Sequence, residues 1–224
     1  MSDMMTASPV LETVSVTDAL VAALRERILD GSYPPGTPVA EVDVARDFRV
    51  SRPTAKTAIR ALVHHGLLRH EPHRAAYVPR LAAADVADLF FVRTPLELSV
   101  VDTVAGLSET ARVEVSRAAR DAVRALRTLP AGAAQSRFVE LDLSFHRVLV
   151  DAAGSPRMSR LYAGLSGEIH LCMVHTRRAL GRDRIAREHT AILDAVGAGD
   201  AANARRLMRA HLDGARDALL AALS

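Results

Sequence analysis

The stretch from Glu41 to Arg60, EVDVARDFRVSRPTAKTAIR, constrains this chain more than any other. It reads as a short helix, a tight turn and a second helix. In the first segment Val42, Val44, Ala45 and Phe48 share an apolar side, with Asp43, Arg46 and Asp47 on the other. Arg49-Val50 makes the turn. Ser51 suits an N-cap, since its hydroxyl can accept a free amide of the following first turn. Pro53 sits in that turn, where a missing N–H costs little. Ala55, Ala58, Ile59 and Leu62 then recur at helical spacing and face inward. Arg52, Lys56 and Arg60 recur every four residues on another face. A helix with an apolar back and a cationic front, set across a short turn from a partner, has the form of a helix-turn-helix, whose second helix enters the major groove. A charged stripe is usually only a solvated face. Here it follows a turn, precedes a wing and lies in a basic run, which points to a duplex as its partner. Ser51, Thr54 and Thr57 are further candidate phosphate or base contacts.

Charge sharpens that reading. The formal net charge of the 224 residues is only +3. Arg49 to Arg80 nevertheless holds seven basic residues against one acid, Glu71, whereas residues 81–224 hold 19 basic and 17 acidic groups. A local positive field is what phosphate binding requires. Apolar residues make up 49% of the chain, aromatics 4%, and Trp is absent, so the core is built mainly from Leu, Val and Ala. That composition favours helices over sheets. No apolar run reaches membrane-spanning length, and Met1 to Val16 lacks a signal-peptide pattern. Cys172 is the single cysteine, which rules out an intrachain disulfide. A cytoplasmic protein without membrane contact is expected.

Met1 to Leu11 has no periodic pattern and reads as disordered. Thr17 caps a first helix of about Asp18 to Asp30, with Leu20, Leu24, Ile28 and Val21 inward. Gly31 ends it, and Tyr33-Pro34-Pro35-Gly36 forms a rigid turn. After Gly66, Leu67-Leu68-Arg69 and Ala76-Tyr77-Val78-Pro79 form a two-stranded hairpin. His70-Glu71-Pro72-His73-Arg74 is its basic tip, and His73 and Arg74 would touch backbone or minor groove. Residues 1–80 thus predict a winged helix-turn-helix. Residues 81–224 read as helices near 85–105, 109–128, 134–153, 156–180, 185–197 and 200–222. Ser108 and Asp200 are the expected N-caps. Six helices with short loops predict an antiparallel all-α bundle, so the chain is mainly α.

One further spacing carries chemistry. Asp142 and His146 are four apart on one predicted helix, so both project from one face and could chelate a divalent cation. On its own such a pair is more often an ordinary intrahelical contact, and nine histidines are scattered along the chain.

The order of these features resembles a GntR-type bacterial transcription regulator of the FadR-like subfamily, over roughly Ala19 to Leu220. The first half of the resemblance is LRERILDGSYPPGTPVAEVDVARDFRVSRPTAKTAIRALVHHGLL. The second is DVADLFFVRTPLE, then DLSFH, EH and AHL, similar to the landmarks of that subfamily's all-helical FCD effector domain. The resemblance implies that Arg52 and Lys56 occupy DNA-contacting positions. It implies that Asp142, His146, His189 and His211 are metal ligands, an O/N set suited to Zn, Ni, Mn or Fe. It also implies that Arg93 points into the effector cavity, where it could pair with a carboxylate; the competing reading of Arg93 is a surface ion pair with Glu97. His175 and Arg137 are weaker pocket candidates. The chain departs from the family at Pro53-Thr54, where Thr-Pro is usual, and at Lys56-Thr57, where Arg-Glu is usual. At the wing tip Arg74-Ala75-Ala76 stands where glycine is common, and Ser155 stands where Asn is common.

The expectation is therefore a homodimeric regulator, more readily a repressor than an activator, that binds operator DNA, a divalent metal and a small carboxylate effector. Two alternatives stand beside it. One is a DNA-binding protein whose metal is purely structural. The other is a metal-dependent hydrolase with Glu188 as its base, although the one-residue offset from His189 turns Glu188 away and no hydrolase motif accompanies it.

Overall fold

A computed structural model describes residues 15–175 and 181–223. The expected disorder of Met1 to Leu11 and the end of the helix expected over 156–180 lie outside them. The elements run α1 (Val16–Leu29), β1 (Pro38–Val39), α2 (Glu41–Asp47), α3 (Arg52–His64), β2 (Ala76–Tyr77), α4 (Ala83–Ala105), α5 (Glu109–Thr128), α6 (Gln135–Ala152), α7 (Pro156–His175), α8 (Arg182–Ala198) and α9 (Ala201–Leu223). The fold is the expected one: a small winged helix-turn-helix followed by an all-α bundle.

In the winged helix-turn-helix, called the reader below, α3 begins as its sequence dictates. The Ser51 hydroxyl accepts from the Thr54 amide at 3.2 Å, and Pro53 occupies the first turn. Ala55, Ala58, Ile59 and Leu62 are all buried. They pack with Leu20, Leu24 and Ile28 of α1 and Val44 of α2. The α1 cap is Ser15, not Thr17: its hydroxyl takes the Asp18 amide at 3.1 Å, so the helix starts earlier than expected. Val42 is exposed rather than inward, because α2 is short and only Val44 on it is buried.

The wing also differs from the expected hairpin. Ala76–Tyr77 pairs antiparallel with Pro38–Val39, and Leu67-Leu68 forms no strand. Only Arg69 bridges to Tyr77, through two hydrogen bonds of 2.9 Å. Leu67 and Leu68 are instead drawn into the reader core, which keeps them out of a ladder. At the tip the left-handed residue is His73, with φ at +65°. That backbone geometry is the one glycine adopts without penalty.

In the bundle α4 lies along α9, α5 packs between α6 and α8, α6 packs on α7, and α8 on α9. Ser108 and Asp200 cap α5 and α9 as expected, accepting the amides of Ala111 and Asn203. One apolar core of Leu, Val, Ile, Phe and Ala runs through these six helices.

The two parts meet at α7. Leu171 of α7 is fully buried among reader side chains. Gly167 lets the end of α3 sit against α7: a Cβ there would lie 1.7 Å from the His65 carbonyl oxygen. Gly66 turns the chain with φ at +70° and would meet Glu168 if it carried a side chain. Arg69 then reaches Asp85 at 2.9 Å and Glu168 at 3.6 Å. Asp85 also accepts the Ala82 amide at 2.8 Å, so one carboxylate starts α4 and holds the wing.

Candidate metal centre and nucleic-acid interface

Asp142 and His146 of α6 meet His189 of α8 and His211 of α9 inside the bundle. All four are buried, and one ligand atom from each lies within 4.8 Å of the others. Nε2 of His211 is 3.4 Å from Nε2 of His189 and 3.3 Å from Nε2 of His146. Asp142 Oδ1 is 3.4 Å from His189 Nε2. Ligands about 2.0–2.1 Å from a tetrahedral zinc stand roughly 3.3–3.4 Å apart, so these separations suit a common ion. The orientation has local causes. The Phe145 ring stacks on His189, with centroids 3.7 Å apart and planes 8° apart. His211 Nδ1 lies 2.8 Å from Glu188 Oε2, and Arg184 holds Glu188 at 2.6 Å. His146 Nδ1 lies 2.5 Å from Glu97 Oε2. Carboxylates behind imidazoles fix which ring nitrogen is left for a metal.

Burial lowers the pKa of His146, only partly opposed by Glu97, and carries that of His189 well below its ordinary value, with His211 and His146 adding to the shift. Both rings are thus neutral near pH 7, the form that ligates.

Arg93 is buried, not on the surface. It is ion-paired with Glu97, which is also buried. Burial alone would raise the Glu97 carboxyl, but Arg93 and then His146 outweigh it and hold it at about 2. Tyr162 completes this polar core. Its phenol is driven well above the usual range by burial and then by Glu97. Among the described residues Arg93 Nη2, Asp142 Oδ1 and the Tyr162 hydroxyl are buried without a hydrogen bond of ordinary geometry, although Arg93 and Tyr162 interact with each other. A buried polar group without a partner costs free energy, so this group fits a site that takes a cation and an anionic ligand. A metal ion bound there would supply Lewis-acid attraction for a carboxylate.

Sequence reasoning missed Tyr162 altogether, and it took Glu97 only as a surface partner. The i,i+4 spacing of Arg93 and Glu97 was the available signal. Glu188 faces the Nδ1 side of His211, away from the convergent Nε2 atoms, so it is not placed as a base. Arg137 is exposed and bound to Glu140, apart from the four ligands. His175 ends α7, half-buried, and joins no metal cluster among the described residues.

On the reader, Ser51, Arg52, Lys56, Thr57 and Arg60 are exposed along one face of α3 and Thr54 is half-buried. Among the described residues Arg52, Lys56 and Arg60 have no acidic side chain within ion-pair distance, unlike Arg46, Arg69 and Arg74. Thr57 is spent locally on the Pro53 carbonyl at 3.0 Å. At the wing tip His73 and Arg74 are exposed, but Arg74 is tied back to Glu71 at 3.1 Å, and Tyr77 donates to the same carboxylate. The tip is therefore less basic than its sequence suggests. No helix among the described residues is long and apolar enough to cross a membrane.

Comparison with known proteins agrees with this geometry. The FCD domain model matches residues 88–214, more than half the chain, and the model for bacterial regulatory proteins of the gntR family matches residues 16–78. The HTH-type transcriptional regulator YdhC of Bacillus subtilis is 26% identical over 85% of this chain and 84% of its own length. The HTH-type transcriptional repressor RspR of Escherichia coli K12 is 26% identical over 89% of this chain and 87% of its own. A crystal structure of a GntR transcriptional regulator from Rhodococcus sp. RHA1 shares the fold, with a TM-score of 0.70, at 24% identity over 93% of this chain and 99% of that one. The chain belongs to the GntR family of bacterial regulatory proteins, with an FCD domain behind its winged reader, and is a DNA-binding regulator rather than an enzyme.

Proposed function

We propose a FadR-like repressor whose FCD domain binds a divalent metal and, on it, a small carboxylate effector. Residues 1–80 form the reader, and residues 81–224 form the effector-binding and dimerisation domain. The observation that carries the reading is the convergence of Asp142, His146, His189 and His211 beside buried, incompletely partnered Arg93. The donor set of one carboxylate and three imidazoles suits Zn, Ni, Mn or Fe. Arg93 Nη2 supplies a donor for the effector carboxylate, and Tyr162 a hydroxyl. A structural metal alone would leave Arg93 Nη2 and the Tyr162 hydroxyl facing only each other.

The dimer sets one α3 in each half-site of a roughly palindromic operator. Arg52, Lys56 and Arg60 take phosphate and base edges, with Ser51, Thr54 and Thr57 beside them and His73 and Arg74 at the wing. Residue Phe91, 79% exposed on α4 beside the α9 groove, supports this face as the one that meets a second copy. A protein that binds operator DNA would act in the cytoplasm. Repression is favoured because RspR, of similar length and order, is named a repressor, and release by a metabolite needs only a differential affinity between two arrangements of the readers. The test is promoter-fragment binding by purified dimer, screened against small carboxylates with and without a chelator. Release by at least one acid, abolished in Arg93→Gln, supports the reading. Release by none, or release unaffected by Arg93→Gln, removes the effector pocket from it.

A further inference from the structure

A cavity of about 570 Å³ opens between the reader and the bundle; it shares α6 with the Asp–His cluster, but none of the four cluster residues lines it. We propose that it is a binding site for a small phosphomonoester, in the size range of a sugar phosphate. Its charged walls are Arg25 of α1, His65 at the end of α3, Arg137, Glu140 and Arg147 of α6, and His170 of α7.

The charges in this cavity are unbalanced. Three guanidinium groups face one carboxylate, and that carboxylate is already bound by Arg137 at 2.5 Å. Among the described residues Arg147 reaches only one carboxylate, Asp151, at 3.9 Å. Arg25 is half-buried, and among the described residues no carboxylate lies within ion-pair distance of it. Its guanidinium instead faces Nδ1 of His170 at 3.4 Å. An arginine has only protons to offer, so that Nδ1 must be the unprotonated nitrogen of a neutral ring. His170 is 2% exposed, and its Nε2 makes no hydrogen bond of ordinary geometry, although the Ser136 backbone interacts with the ring. The surroundings register the same positive field. Burial and then Arg25 push His170 down to about 3, and burial, His64, Arg25 and Arg147 all lower His65. A half-buried arginine whose one close side-chain contact among the described residues is a neutral imidazole, at the wall of a cavity this size, is an arrangement that an anion relieves.

The class of anion follows from charge and size. The excess of two positive charges matches a phosphomonoester, which carries about −1.5 to −2 near neutral pH. A monocarboxylate would neutralise half of it. Forked guanidinium donors suit phosphate oxygens, and the volume falls in the range of small-ligand sites, about 300–1,000 Å³. The location gives the ligand leverage. Arg25 and His65 belong to the reader, whereas Arg137 and Arg147 bracket Asp142 and His146 on α6. A bound phosphate clamps the reader against the helix that carries two of the four candidate metal ligands. This site uses neither Arg93 nor the metal, so it stands or falls independently of the carboxylate pocket.

Calorimetry of the full-length, metal-loaded protein with glucose 6-phosphate, inorganic phosphate and glucose tests it. Glucose 6-phosphate is expected to bind, inorganic phosphate to bind more weakly, and glucose not at all. Arg25→Gln and the exposed Arg147→Gln should each weaken glucose 6-phosphate by roughly tenfold or more. Circular dichroism melts check that each variant is folded, and Arg147→Gln keeps the test alive should Arg25→Gln fail. Three results overturn the proposal: neither phosphate compound binds at millimolar concentration; glucose binds as well as its phosphate; or binding survives both variants and is lost in Arg93→Gln.

Discussion

Two groups of polar residues define this protein, and water separates them in kind. Arg52, Lys56 and Arg60 stand in solvent on α3, without acidic partners among the described residues. Asp142, His146, His189 and His211 are at most 3% exposed and press against one another. The first group costs the fold almost nothing and is free to act on a distant partner. The second is held in a low-dielectric interior, where each polar atom left unsatisfied is expensive. A surface for a polyanion can therefore be written onto a helix by composition. A site for a cation must be assembled from three helices at once.

The largest effect expected from that contrast is at the cluster. Replacing His211 with Ala should lower metal affinity by far more than the about 10–100-fold typical of losing an outer partner of a ligand, as read by competition with a chromophoric chelator. Metal retained at wild-type affinity would mean that the four side chains do not act together. Next comes the joint between the regions. Gly167→Ala drives a Cβ into the His65 carbonyl, and overpacking of that kind costs about 1–3 kcal/mol or more. Thermal unfolding should show the loss, and limited proteolysis should cut between reader and bundle. An unchanged melt would mean that α3 does not rest on α7.

Glu188→Gln removes the charge behind His211 Nδ1 while keeping its shape, and should weaken metal by about 10–100-fold with operator binding intact in excess metal. On the exposed side, Lys56→Ala should weaken operator binding and reduce the salt slope by about one if it meets a phosphate. Its melting curve should not move, because surface substitutions usually fall within about 0.5 kcal/mol. A shifted melt would blur the line between the two groups.

The smallest effect is that of pH on the seam. His170 is held neutral in the fold, down to about 3, whereas an unfolded histidine titrates near 6.5. Below pH 6.5 the unfolded chain therefore binds a proton that the folded chain refuses. Stability contributed by this group is complete above 6.5 and is lost as pH falls toward 3, by at most about 1.4 kcal/mol per pH unit. Denaturant melts at pH 7.5 and 5.5 of wild type and His170→Gln check it; the variant should lose less on acidification.

Local signals were legible in the sequence and long-range ones were not. The inward set on α3, its Ser51 cap and the six bundle helices follow from spacing, glycine breaks and capping residues, which act within a few residues of one another. Pro38–Val39 escaped because two residues, one of them proline, show no alternation, and β2 chose that partner over Leu67-Leu68. The metal ligands occur as one visible pair, Asp142 and His146; nothing local ties them to His189 or His211, and the family resemblance supplied that link. The spacing of Arg93 and Glu97 left a surface pair open beside the inward placement that the resemblance implied, because α4 is apolar on more than one side and its pattern does not say which polar residues turn inward. The approach of Arg25 to His170 spans 145 residues and depends on how α1 docks against α7, which no periodicity records.

Operator binding measured on metal-loaded and metal-stripped protein, with and without a small carboxylate, tests the division between reader and buried cluster most directly. The account predicts that both forms hold the operator and that the carboxylate releases only the loaded one. A carboxylate that acts equally on both forms, or on neither, would contradict it.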